Sequence, residues 1–316
     1  MSISISNAFS RRGAPQFCAC RLSGRGPGGA GHSAGDRRRP HVVLAVVTVR
    51  ADIGLLGHLD FEKAHSNGES NTLKRRKSTR LVQLERPFYL AEKEVSNAQF
   101  RRFRAAHNSG MAEGVSLGGD TLPVVNVSWS DAARYCNWLS DQDRLPHAYR
   151  ENNGKMVAVA PMTTGYRLPT EAEWSFVARK LGRQEPARYS WSGQYPPRTP
   201  SGNFADASIA DTLANTVPDY NDGFRGAAPV GSFAGQSGFH DLGGNVAEWM
   251  QDYYAVYPGM ANSLVTDPSG PVTGDHHVVR GASWRQGSIA ELRLSYRDYS
   301  REPRPDLGFR IARYAE

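Results

Sequence analysis

Residues 238–249 of the chain read GFHDLGGNVAEW, a stretch that combines two acids with two adjacent glycines. Asp241 and Glu248 supply hard oxygen ligands of the kind that calcium prefers. Gly243 and Gly244 let the backbone turn so that carbonyl groups can point at one cation. These residues by themselves leave two interpretations open, a cation site and a structural segment without a ligand.

Upstream of this stretch, three capping signals predict the starts of three helices. Each is a Ser or Thr followed three positions later by an acid or an amide, which satisfies the free N–H groups of a first helical turn. The pairs are Ser96 with Gln99, Ser128 with Asp131, and Thr170 with Glu173. Apolar residues follow each cap at spacings of three and four, so we expect three short helices of three turns or fewer, each with one apolar face.

The segment YRLPTEAEW, residues 166–174, carries the third of these caps. We expect Arg167 to bind a neighbouring carbonyl or carboxylate group while Trp174 packs inward. A core-building role is favoured for Arg167, Glu173 and Trp174 over a direct functional role.

Beyond residue 179 the sequence shows no long helical period. Gly, Pro, Asn and aromatic residues dominate as far as residue 310, so more than 100 residues are expected to form loops and short strands. This much loop is uncommon in a compact domain and usually requires something that holds it, such as a bound metal or a functional constraint.

Seven segments in a fixed order carry a family resemblance. They are residues 87–97 (PFYLAEKEVSN), 123–129 (PVVNVSW), 166–174, 229–231 (PVG), 238–249, 280–284 (RGASW) and 308–310 (GFR). In this order they resemble the formylglycine-generating enzyme, or sulfatase-modifying factor, family, whose domain is shared with ergothioneine-type sulfoxide synthases and pyoverdine-maturation proteins. The resemblance implies an α+β domain with a variant C-type-lectin fold, low in regular secondary structure, with short helices and small antiparallel sheets.

The resemblance also implies two structural calcium sites. For the first site it names the Asp241 side chain, the Gly244 and Val246 carbonyls and the Glu248 side chain. For the second site it names the Asn203 side chain, the Phe204 carbonyl, the Asp222 side chain and the Phe224 carbonyl. The competing interpretation is that Asn203 and Asp222 cap turns without a metal.

The copper chemistry of the family is not expected in this chain. The resemblance places the two copper-binding cysteines of the family, five residues apart, at Gln286 and Glu291. Thiolate is the soft ligand that selects Cu(I), and neither an amide nor a carboxylate replaces it. Cys136 stands in a helical pattern and is expected to be a buried structural thiol. Copper binding and formylglycine synthesis are therefore not expected.

Iron or manganese is the remaining redox candidate, and the sequence gives it little support. The sulfoxide synthases hold iron with histidines from a separate helical domain, and the sequence shows no such domain. Glu291, His240, His276 and His277 are the residues from which an improvised site would have to be built.

A polar and aromatic group near the carboxyl terminus is the candidate ligand pocket. Its members are Ser283, Trp284, Arg285, Arg293, Tyr296 and Arg297. Such a lining suits a peptide or a small ligand. A salt-bridged aromatic core is the competing explanation for the same residues.

Charge divides the chain into a basic tail and a nearly neutral remainder. The first 80 residues carry a formal charge of +9, and residues 81–316 carry −2. The second value gives no electrostatic reason to expect nucleic acid on the folded part. For the basic runs at residues 37–39 and 74–77, solvated charge is favoured over a patch that binds acidic partners.

The composition predicts three regions along the chain. We expect residues 1–60 to be a disordered basic Gly/Arg-rich tail, in which 41–57 also fit a strand, residues 61–80 to be a polar connector, and residues 81–316 to be the domain. No apolar stretch is long enough to span a bilayer, and the amino terminus lacks the apolar region of a signal peptide. The compartment stays unknown, with the cytoplasm as the default and the cell envelope as the alternative if the start is misassigned.

Two functions of different class follow from these observations. The first is a calcium-stabilised module that binds a peptide or another ligand and has lost catalysis. The second is a noncanonical metal-dependent oxidase that modifies a protein or peptide side chain. The missing cysteine pair favours the first, while the fold alone does not decide between them.

Overall fold

The computed structural model describes residues 44–47, 81–235, 238–256 and 264–316, and of residues 44–47 only the backbone. Within these residues the helices are α1 (Asn97–Phe103), α2 (Trp129–Asp143) and α3 (Glu171–Arg179), with a 3-10 helix at Ala207–Ile209. The strands are β1 (Leu44–Val47), β2 (Leu81–Gln83), β3 (Phe88–Ala91), β4 (Met111–Ala112), β5 (Val115–Ser116), β6 (Tyr149–Asn152), β7 (Lys155–Ala158), β8 (Ala247–Tyr253), β9 (Leu264–Thr266), β10 (His277–Arg280), β11 (Asp298–Ser300), β12 (Leu307–Gly308) and β13 (Ala312–Tyr314). The domain is therefore mixed α+β, with few short helices and small sheets, as predicted.

All three helices begin at the predicted caps. The side chains of Ser96, Ser128 and Thr170 each accept a backbone hydrogen bond from the third helical residue, whose own side chain accepts one from the cap. The predicted upper limit of three turns is wrong for α2, whose 15 residues make about four turns. The helix runs on because no glycine or proline interrupts it before Pro146, and it ends with Arg144 in the left-handed conformation.

The sheets depart in part from the predicted antiparallel pairing. A three-stranded sheet has the order β1-β3-β13 and a four-stranded sheet the order β11-β10-β8-β12, beside three two-stranded pairs. Two pairings, β8 with β12 and β2 with β9, are parallel. Long stretches of chain separate the partners in both pairs, and parallel strands require such long connections.

Of the amino-terminal region that the sequence divides into tail and connector, the structure describes only residues 44–47. Strand β1 pairs with β3 and lies within residues 41–57, which fit a strand, and also within residues 1–60, for which disorder was predicted. The rest of the tail and the whole connector lie outside the described residues. The boundaries at 61 and 81 therefore stay predictions.

The largest apolar cluster surrounds α2 and fixes the position of β8. The rings of Phe100, Tyr135 and Phe309 pack together with centroids 5.5–6.2 Å apart. Trp249 of β8 is fully buried, and its indole N–H donates to the Val127 carbonyl at 3.0 Å. These contacts hold Glu248, the residue before Trp249, in the centre of the domain.

Helix α3 confirms the core-building interpretation of residues 166–174. Arg167 and Glu173 form a two-pronged buried ion pair with N–O distances of 2.6 and 2.7 Å. Trp174 is fully buried. Cys136 of α2 is also buried, as predicted, and burial raises the pKa of its thiol.

Between α3 and β8 the described residues contain the 3-10 helix and no other regular element. This confirms the predicted lack of helix beyond residue 179. Among the residues that the structure describes, no helix is long and apolar enough to cross a membrane.

Candidate cation sites and ligand surface

The two acids of the first predicted calcium site are buried and hydrogen-bonded. Glu248 receives two hydrogen bonds of 2.8 Å from the Arg310 guanidinium and one of 3.0 Å from the Trp174 indole. Asp241 accepts the backbone N–H groups of Gly231 at 2.5 Å and Phe233 at 3.0 Å. Both Asp241 oxygens and Glu248 Oε1 thus accept one hydrogen bond each, and a carboxylate oxygen has a second lone pair for a cation.

Arg310 is the cation that the structure itself supplies at this site. Besides its bonds to Glu248, the guanidinium donates to the carbonyls of Ala91 at 3.1 Å, Glu92 at 3.3 Å and His240 at 2.9 Å. All five of its N–H donors are therefore used. Its position in the GFR segment marked Arg310 as part of a family motif, but nothing in the sequence indicated that it pairs with Glu248.

A third carboxylate, Glu94, lies beside the same site and was not predicted. It accepts the Asn245 side-chain amide at 2.7 Å and the Val246 backbone N–H at 3.2 Å. Burial, with the neighbouring carboxylates of Asp241 and Glu248, raises the pKa of Glu94 well above its usual range. Three buried acids thus lie near one guanidinium, and their mutual repulsion is relieved either by protons, as the raised pKa of Glu94 indicates, or by an added cation.

The structure brings together the residues of the second predicted calcium site. Asp222 accepts the backbone N–H of Phe204 at 2.9 Å and that of Phe224 at 3.0 Å. Asn203 is fully buried, and its Oδ1 atom has no hydrogen-bond partner. A buried acceptor without a partner costs about 1–3 kcal/mol. A cation ligated by Asn203 Oδ1 would remove that cost, so the residues fit such an ion.

Asp206 lies beside the second candidate site and is not among the residues that the resemblance names. It is fully buried, and its two oxygens accept the backbone N–H of Asp222 at 2.7 Å and of Ser208 at 2.8 Å. Burial, with Asp206 as a further contributor, raises the pKa of Asp222 to about 7. The pairing Asp206 to Ser208 is a local turn signal that was available in the sequence.

Gln286 and Glu291, which the resemblance places at the positions of the family cysteines, are used in local turns. The Gln286 side-chain oxygen accepts the Ser283 backbone N–H at 3.0 Å. Glu291 accepts both the hydroxyl and the backbone N–H of Ser288, and the Ser288 hydroxyl accepts the Glu291 N–H in return. Both side chains therefore fold back onto their own segment.

The histidines named for an improvised iron or manganese site lie in different surroundings. His277 stacks between the rings of Trp129 and Tyr253, at 3.8 and 4.2 Å, and burial lowers its pKa to about 3. His276 contacts the ring of Tyr299 instead. In the part of the chain that the structure describes, no group of three or more His, Cys, Asp or Glu residues is placed to hold a metal. Each calcium candidate combines one or two carboxylates with backbone carbonyl oxygens, and the second also includes the Asn203 amide oxygen.

The candidate pocket residues are engaged in internal contacts. Ser283 donates to Asp306 at 2.8 Å, Arg285 to Glu113 at 2.6 Å and Arg297 to Glu171 at 2.7 Å. The Tyr296 carbonyl accepts from Arg280 at 2.7 Å, Trp284 lies in an apolar cluster, and Arg293 is half-buried. These contacts are of the kind that the salt-bridged aromatic core predicts, and the pocket itself stays a prediction.

A cleft elsewhere on the surface was not predicted. It encloses about 30 Å³, room for about two water molecules, and reaches Asp241 and Gly244 of the first site. Its lining includes Val177, Arg183, Ser190, Ala234, Gly243 and Leu294. None of the six pocket candidates lines this cleft.

Comparison with curated proteins finds relatives with and without catalytic activity. The formylglycine-generating enzyme of Thermomonospora curvata is 33% identical over 168 residues, covering 51% of this chain and 44% of that protein. The inactive Cα-formylglycine-generating enzyme 2 of Mus musculus is 33% identical over 190 residues, covering 58% and 43%. The chain thus spans less than half the length of these two relatives.

The fold also matches a solved structure of a pyoverdine-maturation protein, as the resemblance implied. PvdO from Pseudomonas aeruginosa superposes with a TM-score of 0.53 at 19% identity, covering 86% of this chain and 94% of that one. At this identity the likeness concerns the fold alone. The family profile described as the sulfatase-modifying factor enzyme 1-like domain matches residues 57–315, most of the chain. The chain therefore belongs to the family of sulfatase-modifying factor enzyme 1-like domains.

Proposed function

We propose that this chain is a calcium-stabilised module of its family that binds a peptide or another ligand and lacks copper-thiolate oxidase chemistry. One observation carries the proposal. The side chains at the two family cysteine positions, Gln286 and Glu291, cap turns of their own segment at Ser283 and Ser288. They are neither thiols nor directed at a common point.

The remaining thiol of the described residues supports the same conclusion. Cys136 is fully buried in α2, and burial raises the pKa of its thiol, so it stays protonated at neutral pH. A copper ligand or nucleophile has to be a thiolate. A mouse relative of similar identity carries a name that calls it inactive, so loss of catalysis within this family has a precedent.

Calcium is proposed as the ion that holds the long loops. Asp241, Glu248 and the Gly244 and Val246 carbonyls would hold one ion, and Asn203, Asp222 and the Phe204 and Phe224 carbonyls a second. The support is the crowding of three buried carboxyl groups near one guanidinium at the first site and the unpaired Asn203 Oδ1 at the second. An ion held at 100 times its dissociation constant adds about 2.7 kcal/mol to folding stability. We also infer the variant C-type-lectin fold, which the short sheets and long loops support.

The cleft beside Asp241 is the proposed place for a ligand. Gly202, Gly243 and Gly244 line it, and each packs against atoms of its own chain where a side chain would stand. Leu294 and Val177 add apolar surface, and Arg183 adds a positive charge. These residues suit contact with a peptide that lies across the mouth of the cleft, because its interior has room for only about two water molecules. A peptide ligand is in keeping with a family whose oxidases act on protein cysteines.

The oxidase prediction is tested by incubating the full chain with Cu(I), oxygen and a peptide that contains Cys-x-Pro-x-Arg. Mass spectrometry then follows the mass change from cysteine to formylglycine. We expect no conversion, while the Thermomonospora curvata enzyme under the same conditions serves as the positive control. Conversion over repeated turnovers by this chain would overturn the proposal.

The binding prediction is tested with peptides selected on the full chain by phage display. Ala234→Trp places a large ring at the exposed rim of the cleft and is expected to weaken binding at least about tenfold, which corresponds to about 1.4 kcal/mol. Ser232→Trp adds the same ring at an exposed position outside the cleft lining and is the matched control. Equal affinities of the two variants would place the ligand elsewhere.

A noncanonical metal-dependent oxidase remains the alternative function, and a protein or peptide remains the proposed partner. No observation favours an iron or manganese site, because Glu291, His276 and His277 lie in separate surroundings. The net charge of −2 on residues 81–316 supports a protein or peptide partner over nucleic acid. Metal analysis of the purified chain, which we expect to yield calcium, distinguishes these alternatives.

A further inference from the structure

A single side chain, Asn245, joins the two candidate calcium sites. It lies between Gly244 and Val246, whose carbonyls belong to the first site, and its backbone has a positive φ of 66°. Its backbone N–H donates to the carbonyl of Asn203 at 2.9 Å. Asn245 is fully buried, so each of these contacts is shielded from water.

The orientation of the Asn245 amide has one solution. Its Oδ1 accepts the Ala228 backbone N–H at 2.8 Å, and its Nδ2 donates to the Ala228 carbonyl at 3.2 Å. A backbone N–H only donates and a carbonyl only accepts, so the amide cannot be turned over. The same Nδ2 donates to Glu94 Oε2 at 2.7 Å, beside the first site.

The fixed Asn245 amide in turn orients Asn203. Asn203 Nδ2 donates to Asn245 Oδ1 at 3.2 Å and to the Gly226 carbonyl at 2.8 Å. The nitrogen of the Asn203 amide is thereby committed, and the buried Oδ1 on the other side is left without a partner. That oxygen is the side-chain ligand atom of the second site.

We propose that Asn245 is a positioning residue that couples calcium binding at the two sites, an inference that rests on the proposed calcium function. Ligation of the Gly244 and Val246 carbonyls constrains the backbone on both sides of Asn245. The Asn245 amide transmits that constraint to Asn203, whose Oδ1 is then held ready at the second site. Linkage makes the effect reciprocal, so occupation of the second site tightens the first by the same factor.

Calcium titration calorimetry on the chelator-stripped full chain measures this factor. Asp222→Asn and Asp241→Asn each disable one site, so the remaining site can be titrated alone and compared with the same site in the unchanged protein. We expect occupation of one site to tighten the other at least about fivefold, the lower end of typical coupling. In Asn245→Gly, which tolerates the positive φ but has no amide, we expect the factor to fall to about one.

Asn126→Gly is the matched control. Asn126 also has a positive φ, 56°, and donates one side-chain hydrogen bond, to the Ser109 carbonyl at 2.7 Å, but it contacts neither site. Loss of the Asn126 side chain is expected to leave the coupling factor between the two sites unchanged. Asn203→Asp serves if Asn245→Gly does not fold, because it keeps an oxygen ligand at the second site and removes the Nδ2 link to Asn245.

Each outcome decides the inference. Two calcium ions with a coupling factor that Asn245→Gly or Asn203→Asp abolishes support it. Two ions that bind independently, or a coupling that survives both variants, overturn the role of Asn245 and leave the proposed calcium function intact. Binding of only one calcium ion would also overturn the proposed coupling. If the chain binds no calcium, the proposed calcium function is overturned as well.

Discussion

The two candidate cation sites hold their acids in different ways. At the first site Glu248 lies 2.8 Å from the Arg310 guanidinium. At the second site Asp222 is bound by the backbone N–H groups of Phe204 and Phe224. A guanidinium brings a full positive charge to its carboxylate, whereas two N–H groups bring partial charges. The first site is therefore partly neutralised by the protein itself, and the second depends more on an added ion.

The two sites therefore illustrate two ways of holding long loops in place, by a buried guanidinium and by an added ion. Arg310 ties β8 to the segments around Ala91 and His240 by hydrogen bonds to Glu248 and to three carbonyls. The second site ties loop to loop, and its unpaired Asn203 Oδ1 leaves that junction incomplete without a ligand. The variants below test whether stability follows this division.

Arg310→Met is expected to have the largest effect. It leaves Glu248 buried without its cation, and breaking a buried pair in this way costs about 3–5 kcal/mol. Urea unfolding in the presence of a chelator measures the loss. Asp120→Asn removes the charge from an ion pair with Arg101 in which Asp120 is 76% exposed, and it is expected to cost about 1 kcal/mol or less. Equal losses for the two variants would contradict the central role of Arg310.

Calcium removal is expected to have the next largest effect, by destabilising the loops around the second candidate site. At a calcium concentration 100 times the dissociation constant, each ion contributes about 2.7 kcal/mol to the free energy of unfolding. Asp222→Asn is expected to lose the share of the second site when unfolding with and without calcium is compared. Asp211→Asn removes an exposed carboxylate that pairs with Arg225, and its calcium response should match that of the unchanged protein.

The pH dependence of the calcium-free protein gives a smaller effect at the same site. The pKa of Asp222 is raised to about 7 in the folded state, above its value near 3.9 in the unfolded chain. The folded state then binds more protons between these values, so its stability is highest below about pH 4 for this group and falls as the pH rises toward 7. Chemical unfolding at pH 5 and pH 7 in a chelator measures the fall.

Asp222→Asn is expected to reduce this pH dependence without abolishing it. Burial also raises the pKa of Asp252 to about 7, and Asp252 is not a ligand of either candidate calcium site. The slope that survives in Asp222→Asn should therefore become smaller still in a double variant that also carries Asp252→Asn, and the buried acids Glu94 and Asp241, whose pKa values burial also raises, account for the rest. A slope unchanged by Asp222→Asn would place the titrating group elsewhere.

Gln286→Ala is expected to have the smallest effect and serves as a reference outside both sites. It removes the side-chain oxygen that accepts the Ser283 backbone N–H at 3.0 Å. A single hydrogen bond of this kind contributes about 0.5–1.5 kcal/mol. Thermal unfolding measures the change, and a loss as large as that of Arg310→Met would show that the segment around residue 286 carries more of the fold than one turn.

The local features of the fold were predictable because they depend on residues close in sequence. A cap at Ser96, Ser128 or Thr170 needs only the residue three positions later, and all three helices begin there. The length of α2 was underestimated, since the end of a helix depends on packing as well as on local signals. The parallel pairing of β8 with β12 joins Ala247 to Leu307 and leaves no local signal.

The candidate sites were predictable only as far as a family motif names them. Asp222, Phe204 and Phe224 came together as the resemblance implied. Asp206, Glu94 and Arg310 were missed, and so was the cleft beside Asp241. The pocket candidates Ser283 and Arg297 were identified by residue type, and the structure engages both in internal contacts with acids.

The sequence by itself determined the family, the three helix starts and the burial of Cys136 and Trp174. The tertiary structure alone decided which charges meet. Glu248 and Arg310 are 62 residues apart, and Glu94 and Asn245 are 151 apart. Such contacts arise when distant segments pack into one core, and neither periodicity nor capping encodes that packing.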